Sequence, residues 1–175
     1  GDLKKELSEL KKKLKEKEFP NAARDKKGKL MVGAAIRLNA DYLKEVSELL
    51  KAGIDAILLD TARANSKRVK EAVQKIKSRF PKLPLVVGNI DTPEAALMLI
   101  KAGAGCLKVG IGPGSACKTR EATGVGIPQL TAVAACAAVA KKYGVPLIAD
   151  GGIRGGADLS KALVAGANLV MVGSL

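Results

Sequence analysis

Six short apolar runs, each continuous rather than alternating, constrain this chain more than any other feature. They fall at 30–36, 56–60, 85–90, 106–111, 147–150 and 169–173. A strand that is apolar at successive positions is buried on both faces, as in a parallel sheet. Between the runs lie segments of helical period, at about 40–52, 66–79, 92–103, 128–143 and 156–166. Strands alternating with helices predict βαβ units. The punctuation agrees. Ala52-Gly53, Ala102-Gly103 and Ala165-Gly166 each come just before a strand, where a helix stops. Thr92-Pro93-Glu94 supplies a capping hydroxyl and a proline at the first helical position. The recurrent Ala-Gly-then-strand pattern is a weak internal repeat of the kind a (β/α) barrel produces. The predicted fold is therefore α/β: parallel βα repeats of a TIM (β/α)8-type barrel, with six strands present and the barrel incomplete.

The first residues differ in kind. Leu3, Leu7, Leu10 and Leu14 form a thin apolar stripe on a Lys/Glu helix, suited to lying against the body or a partner. Residues 20–29 read as a polar connector. The expected organisation is an amphipathic helix and connector over 1–29 and a partial barrel over 30–175.

Composition removes several function classes. Net charge is +13, from 30 Lys and Arg against 17 Asp and Glu, which attracts anions, nucleotides among them. Aromatics are only 2%, too few for base-stacking platforms, and the lysines sit mainly in the first 30 residues and on helix faces. Specific nucleic-acid binding is not expected. No run of 18 apolar residues and no signal-peptide core occurs, so the chain reads as soluble and cytoplasmic, without a membrane partner. Cys106, Cys117 and Cys136 show no CxxC spacing, and an odd count argues against a disulfide framework. There is no histidine, which removes Ser-His-Asp triads, Cys-His dyads and HExxH zinc sites together.

In parallel α/β folds ligands bind at the carboxyl ends of the strands. The fourth run leads into Gly110-Ile111-Gly112-Pro113-Gly114-Ser115-Ala116-Cys117-Lys118-Thr119-Arg120. Glycines there allow close backbone approach to a ligand, and Cys117 is placed as a nucleophile. The other reading is a tight turn with a small residue. Lys118 and Arg120 are cations that would lower the Cys117 pKa. Cys106 and Cys136 read as packing residues. Asp60-Thr61, Gly88-Asn89, Asp150-Gly151-Gly152 and Gly173-Ser174 end the other strands. Amides at Gly151-Gly152 and Gly173-Ser174, with the Ser115 and Ser174 hydroxyls, can cradle a phosphate; plain turns are the alternative. Asp150 can take a sugar diol, or cap a helix. Asp60 can accept from a ribose or a cofactor amide, or cap the helix near Ser66.

These residues carry a specific resemblance. The loop 110–120 resembles the active-site loop of the IMP dehydrogenase and GMP reductase family. Supporting matches are Val32-Gly33-Ala34-Ala35-Ile36, Asp60-Thr61-Ala62, Gly88-Asn89, the stretch 124–132, the stretch 148–154, and Gly173-Ser174-Leu175, all in the family's order. The Gly-Ser-Leu ending is more similar to the dehydrogenase. The resemblance implies NAD-dependent oxidation of IMP to XMP. Cys117 would attack the purine C2, and Thr119 would position or activate water. Ser115, Gly151, Gly152, Gly173 and Ser174 would hold the phosphate and Asp150 the ribose. Asp60, Thr61, Asn89 and Gly110 would face the cofactor or the reacting base. Carbonyls of Gly112, Gly114 and Cys117 would contribute to a monovalent-cation site, for potassium.

The chain also departs from the family pattern. A full barrel of this type takes about 250 residues, whereas 175 are present. The family's two opening strands, its inserted regulatory domain and its mobile flap have no counterpart. Arg37 and Arg63-Ala64-Asn65 replace turns that usually carry glycine and histidine. The expectation is a truncated, reconstructed or engineered core whose sheet edges favour a homo-oligomer. Turnover is expected to be impaired or absent, and the alternative function is a scaffold or assembly module without catalysis.

Overall fold

A computed structural model of the chain describes residues 19–114 and 117–173. They fall into two compact units that divide between Val32 and Gly33. The Leu-striped segment 1–18, Ser115 and Ser174 lie outside the described residues.

In the first unit the polar connector is a tight turn. The Asp25 carboxylate accepts from the Lys27 and Lys29 amides, Arg24 donates to the Gly28 carbonyl, and Arg24 and Leu30 form an antiparallel bridge. That turn is why the first strand starts later than its apolar run predicts. Leu30 is engaged with Arg24, and the regular ladder begins at Gly33.

The second unit is a six-stranded parallel sheet in the order β1-β2-β3-β4-β5-β6, a curled half-barrel with alternating helices. Its elements are β1 (Gly33–Ile36), α1 (Tyr42–Lys51), β2 (Ala56–Asp60), α2 (Lys67–Arg79), β3 (Leu85–Ile90), α3 (Pro93–Ala102), β4 (Cys106–Val109), α4 (Thr119–Thr123), α5 (Gln129–Lys142), β5 (Leu147–Asp150), α6 (Gly156–Val164) and β6 (Leu169–Met171). β2, β3 and β5 match their apolar runs. β4 stops at Val109 and β6 at Met171, earlier than the runs suggest, because the chain turns into glycine loops there. The short α4 has no periodic signal in the sequence.

Helix boundaries follow from local chemistry. Ser66 caps α2 by accepting from the Val69 amide, and Thr92 caps α3 by accepting from the Ala95 amide. Pro93 opens α3, and Gly103 closes it in the left-handed conformation. Asp60 caps nothing; Ser66 holds that role itself.

The register sorts the strand residues into two faces. Ile36, Leu59, Val87, Leu107 and Leu147 pair across successive strands and form one row, each at most 1% exposed. With Val73, Ile76, Leu99, Val133 and Cys136 from the helices they make one buried cluster. The opposite face carries a row of different character: Asp60, Gly88, Lys108 and Ile148. Among the described residues no helix is long and apolar enough to cross a bilayer.

The core and cap make separable predictions for chemical unfolding followed by circular dichroism. Leu107→Ala should cost about 2–5 kcal/mol through the cavity it leaves. Thr92→Ala should cost about 1 kcal/mol through the lost cap. Val164→Ala, at a position 90% exposed, should stay within about 0.5 kcal/mol of the parent.

Candidate active site

Lys108 lies in the middle of an apolar strand, only 3% exposed. A lysine is almost never buried unless it is paired. Here it has two partners. Its Nζ is 2.5 Å from Asp150 Oδ2 and 3.2 Å from Asp60 Oδ1. Asp60 and Lys108 are two strands apart in the same row, with Gly88 between them. A Cβ at Gly88 would stand 2.6 Å from the Lys108 Cβ and 2.7 Å from its carbonyl oxygen. The missing side chain on β3 is therefore what lets β4 come so close at Lys108. Asp150 is two residues beyond Ile148, the partner of Lys108 on β5, and so projects from the same face.

Asn89 reaches the same point by a bulge. Gly88 pairs with Lys108 and Ile90 with Val109, so Asn89 is the extra residue in the ladder. Its backbone amide donates to the Thr61 carbonyl at 2.8 Å. Its Nδ2 donates to the Gly110 carbonyl at 2.6 Å and to Asp150 Oδ2 at 2.9 Å. The Thr61 hydroxyl donates to the Gly88 carbonyl, so its proton is engaged within the protein. From the start of α5, Gln129 Nε2 donates to the carbonyls of Val109 and Asp150, tying the ends of β4 and β5 together. Among the described residues, buried side-chain polar atoms without a partner are Asn89 Oδ1, Gln129 Oε1 and Arg120 Nε. All three belong to this end of the sheet. A buried polar group without a partner costs about 1–3 kcal/mol.

The loop after β4 brings in the sulfur. The Cys117 amide donates to the Gly114 carbonyl at 3.0 Å, and the thiol donates to Thr119 Oγ1 at 3.4 Å. The Cys117 pKa is lowered. The Thr119 side chain contributes most, followed by its backbone amide, both of which stabilise the thiolate. The neighbouring cations matter less than the sequence suggests. Arg120 is the smallest contributor, and no effect of Lys118 is resolved. The reason is structural. The Arg120 guanidinium donates to the Ile127 carbonyl. Its stem passes so close to Gly112 and Gly126 that a Cβ on either would clash with it. The other two thiols move the opposite way. Burial pushes Cys106 up to about 11 and Cys136 up to about 12. Both read as packing residues.

Asp60, Thr61, Asn89, Gly110, Cys117, Thr119 and Asp150 thus line one open cleft of about 340 Å³ at the carboxyl ends of β2 to β5. The Gly151-Gly152 turn packs on Pro113 and Gly114, so the glycine loops after β4 and β5 adjoin. Gly173 follows β6 and is not part of the cleft lining. Lys108 and Gln129 were not singled out by sequence reasoning. A lone lysine flanked by Leu107 and Val109 in a buried run was the signal for the first; for the second it was its place in the matching stretch 124–132.

A model of the IMP dehydrogenase / GMP reductase domain matches residues 3–175. The chain belongs to that family. It is 51% identical over 162 residues to the inosine-5'-monophosphate dehydrogenase of Aquifex aeolicus, covering 93% of this chain and 33% of that protein. It is 52% identical over 158 residues to the Halalkalibacterium halodurans enzyme, covering 90% of this chain and 33% of the relative. The Borreliella burgdorferi protein of the same name is 49% identical over 158 residues, 39% of its length. The chain therefore spans a third or slightly more of these relatives, and the match covers the cleft and its glycine loops.

The three thiols should separate in an alkylation experiment on the folded chain. Iodoacetamide should modify Cys117 first, with Cys106 and Cys136 protected. Its rate should rise with pH through a midpoint below the ordinary thiol value. Thr119→Val removes the main support of the thiolate and should move that midpoint upward. Peptide mass mapping across a pH series reads both effects.

Proposed function

We propose that this cleft is a purine-nucleotide site of the IMP dehydrogenase type and that Cys117 is its nucleophile. The observation that carries the reading is that a thiol of lowered pKa shares one cleft with Thr119, Asn89, Asp60 and Asp150. The Cys117 thiolate adds to C2 of IMP. The C2 hydrogen leaves with its electron pair, and NAD, when bound, accepts it as hydride. Water then cleaves the bond to sulfur, giving XMP and the free thiol. Splitting one hard step into two is the usual gain of covalent catalysis. Thr119, whose hydroxyl lies beside the sulfur, positions the water. Asp150 accepts from the ribose hydroxyls, and the paired loops at Pro113-Gly114 and Gly151-Gly152 face the phosphate, with Ser115 and Ser174 as further donors.

The residues present also suit the second ligand. Asp60, Asn89 and Gly110 would hold NAD, since Asp60 lies at the open rim of the cleft with its side chain 48% exposed. Carbonyls of Gly112, Gly114 and Cys117 suit potassium rather than a divalent ion. Uncharged carbonyl oxygens are the usual potassium ligands, and no cluster of three His, Cys, Asp or Glu occurs among the described residues.

One observation favours a second reading, an assembling scaffold without turnover. β1 pairs only with β2 and β6 only with β5, which leaves two sheet edges unpaired among the described residues. Leu169 is 57% exposed on one of them. A second copy would pair with such an edge.

Calorimetric titration of IMP, with inosine as the phosphate-free control, separates the readings. Saturable binding that requires the phosphate is expected, as is a Cys117-linked nucleotide adduct by intact mass when NAD is added. Cys117→Ala should bind IMP but form no adduct. Equal heats with both ligands, or none with either, would overturn the nucleotide site. Self-association by sedimentation would then support the scaffold.

A further inference from the structure

Asp60 and Asp150 come from strands that are not neighbours, yet both carboxylates converge on one buried ammonium. Each uses a single oxygen for the contact: Oδ1 of Asp60 and Oδ2 of Asp150. Asn89 Nδ2 also donates to Oδ2 of Asp150, so both contacts of that carboxylate fall on the same oxygen. Among the described residues Asp150 Oδ1 and Asp60 Oδ2 have no partner, and both aspartates line the cleft. Gly88 lets β4 approach β3 closely at Lys108. Two carboxylates from non-neighbouring strands held on one buried cation do more than fill volume.

We propose that Lys108 is the positioning residue of this cleft. Its ammonium fixes the rotation of both carboxylates, so that each commits one oxygen inward and presents the other to a ligand hydroxyl. Lys108 touches neither ligand. It acts through Asp150 on the nucleotide ribose and through Asp60 on the second ligand, so the two ends of the cleft share one cation. The inference rests on the proposed function for the identity of the ligands, but not for the geometry.

Two measurements test it on the full chain. The first needs no ligand. In the proton–nitrogen ammonium spectrum of the lysine side chains, Lys108 should give a slowly exchanging signal with a scalar coupling to the Asp150 carboxylate carbon. Asp150→Asn should remove the coupling, and Asp60→Asn should shift the ammonium signal through the lost ion pair. A Lys108 ammonium in fast exchange, one without the coupling, or one unmoved by Asp60→Asn overturns the proposal. The second compares IMP with its 2'-deoxy analogue by calorimetry. The parent should prefer the ribonucleotide by about 10-fold or more, the scale expected of a hydrogen bond to a charged acceptor. Lys108→Met, which keeps length and loses charge, should abolish that preference, and Lys108→Arg should restore part of it. A folded Lys108→Met chain with the parental ratio overturns the proposal. If Lys108→Met does not fold, the ammonium spectrum and the arginine variant decide. A parent that binds no IMP overturns the nucleotide site alone, and the ammonium spectrum then decides the role of Lys108.

Discussion

A single cation inside the sheet sets the terms for the rest of this site. Removing an ammonium from water costs several kcal/mol unless it is paired with good geometry. Lys108 therefore demands partners, and among the described residues the carboxylates that pair with it are Asp60 and Asp150. Once they are drawn in, β2, β4 and β5 must keep their mutual register at the carboxyl ends. The bulge at Asn89 and the amide of Gln129 act in the same place, binding the ends of β3, β4 and β5 to one another. The opposite face of the sheet is held by ordinary packing, in the row from Ile36 to Leu147. One face is a hydrophobic core, and the other is a polar network whose members constrain each other.

The Cys117 sulfur is set apart from this network by its surroundings. Cys106 and Cys136 are held in their neutral form by burial, which disfavours a thiolate. Cys117 sits in a loop with a hydroxyl and an amide beside it, which favour one. Those donors belong to Thr119, two residues along, at the start of α4. The short helix thus orients a hydrogen-bond donor onto the thiolate. Arg120 could have served as a counter-ion, but it is occupied in bracing the loop between Gly112 and Gly126 against Ile127.

Much of this was legible in the amino-acid sequence. Continuous apolar runs located β2, β3 and β5 to the residue, because burial on both faces leaves an unbroken signature. Thr92-Pro93 and the Ala-Gly stops marked helix ends through local chemistry that needs no tertiary context. The family's motif order placed Asp60, Asn89, Cys117 and Asp150 at strand ends, and the structure gathers them in one cleft. What escaped were effects of register and turn geometry. The late start of β1 depends on the Asp25 turn. The pairing of Lys108 with Asp60 depends on two strands being aligned through Gly88. The weak influence of Lys118 and Arg120 on Cys117 depends on where their charges end up, not on how near they stand in the chain.

Gly88 has a consequence for how such a chain can change. A Cβ at 88 would meet the Lys108 Cβ and carbonyl oxygen, which every residue but glycine brings to 108, so position 88 cannot drift. A larger residue at 88 would push β4 away from β3, and with it the ammonium away from the two acidic groups that need its charge. A glycine on one strand therefore holds in place a charge twenty residues further along the chain. A residue that contributes no side chain to the site is among the parts least free to vary.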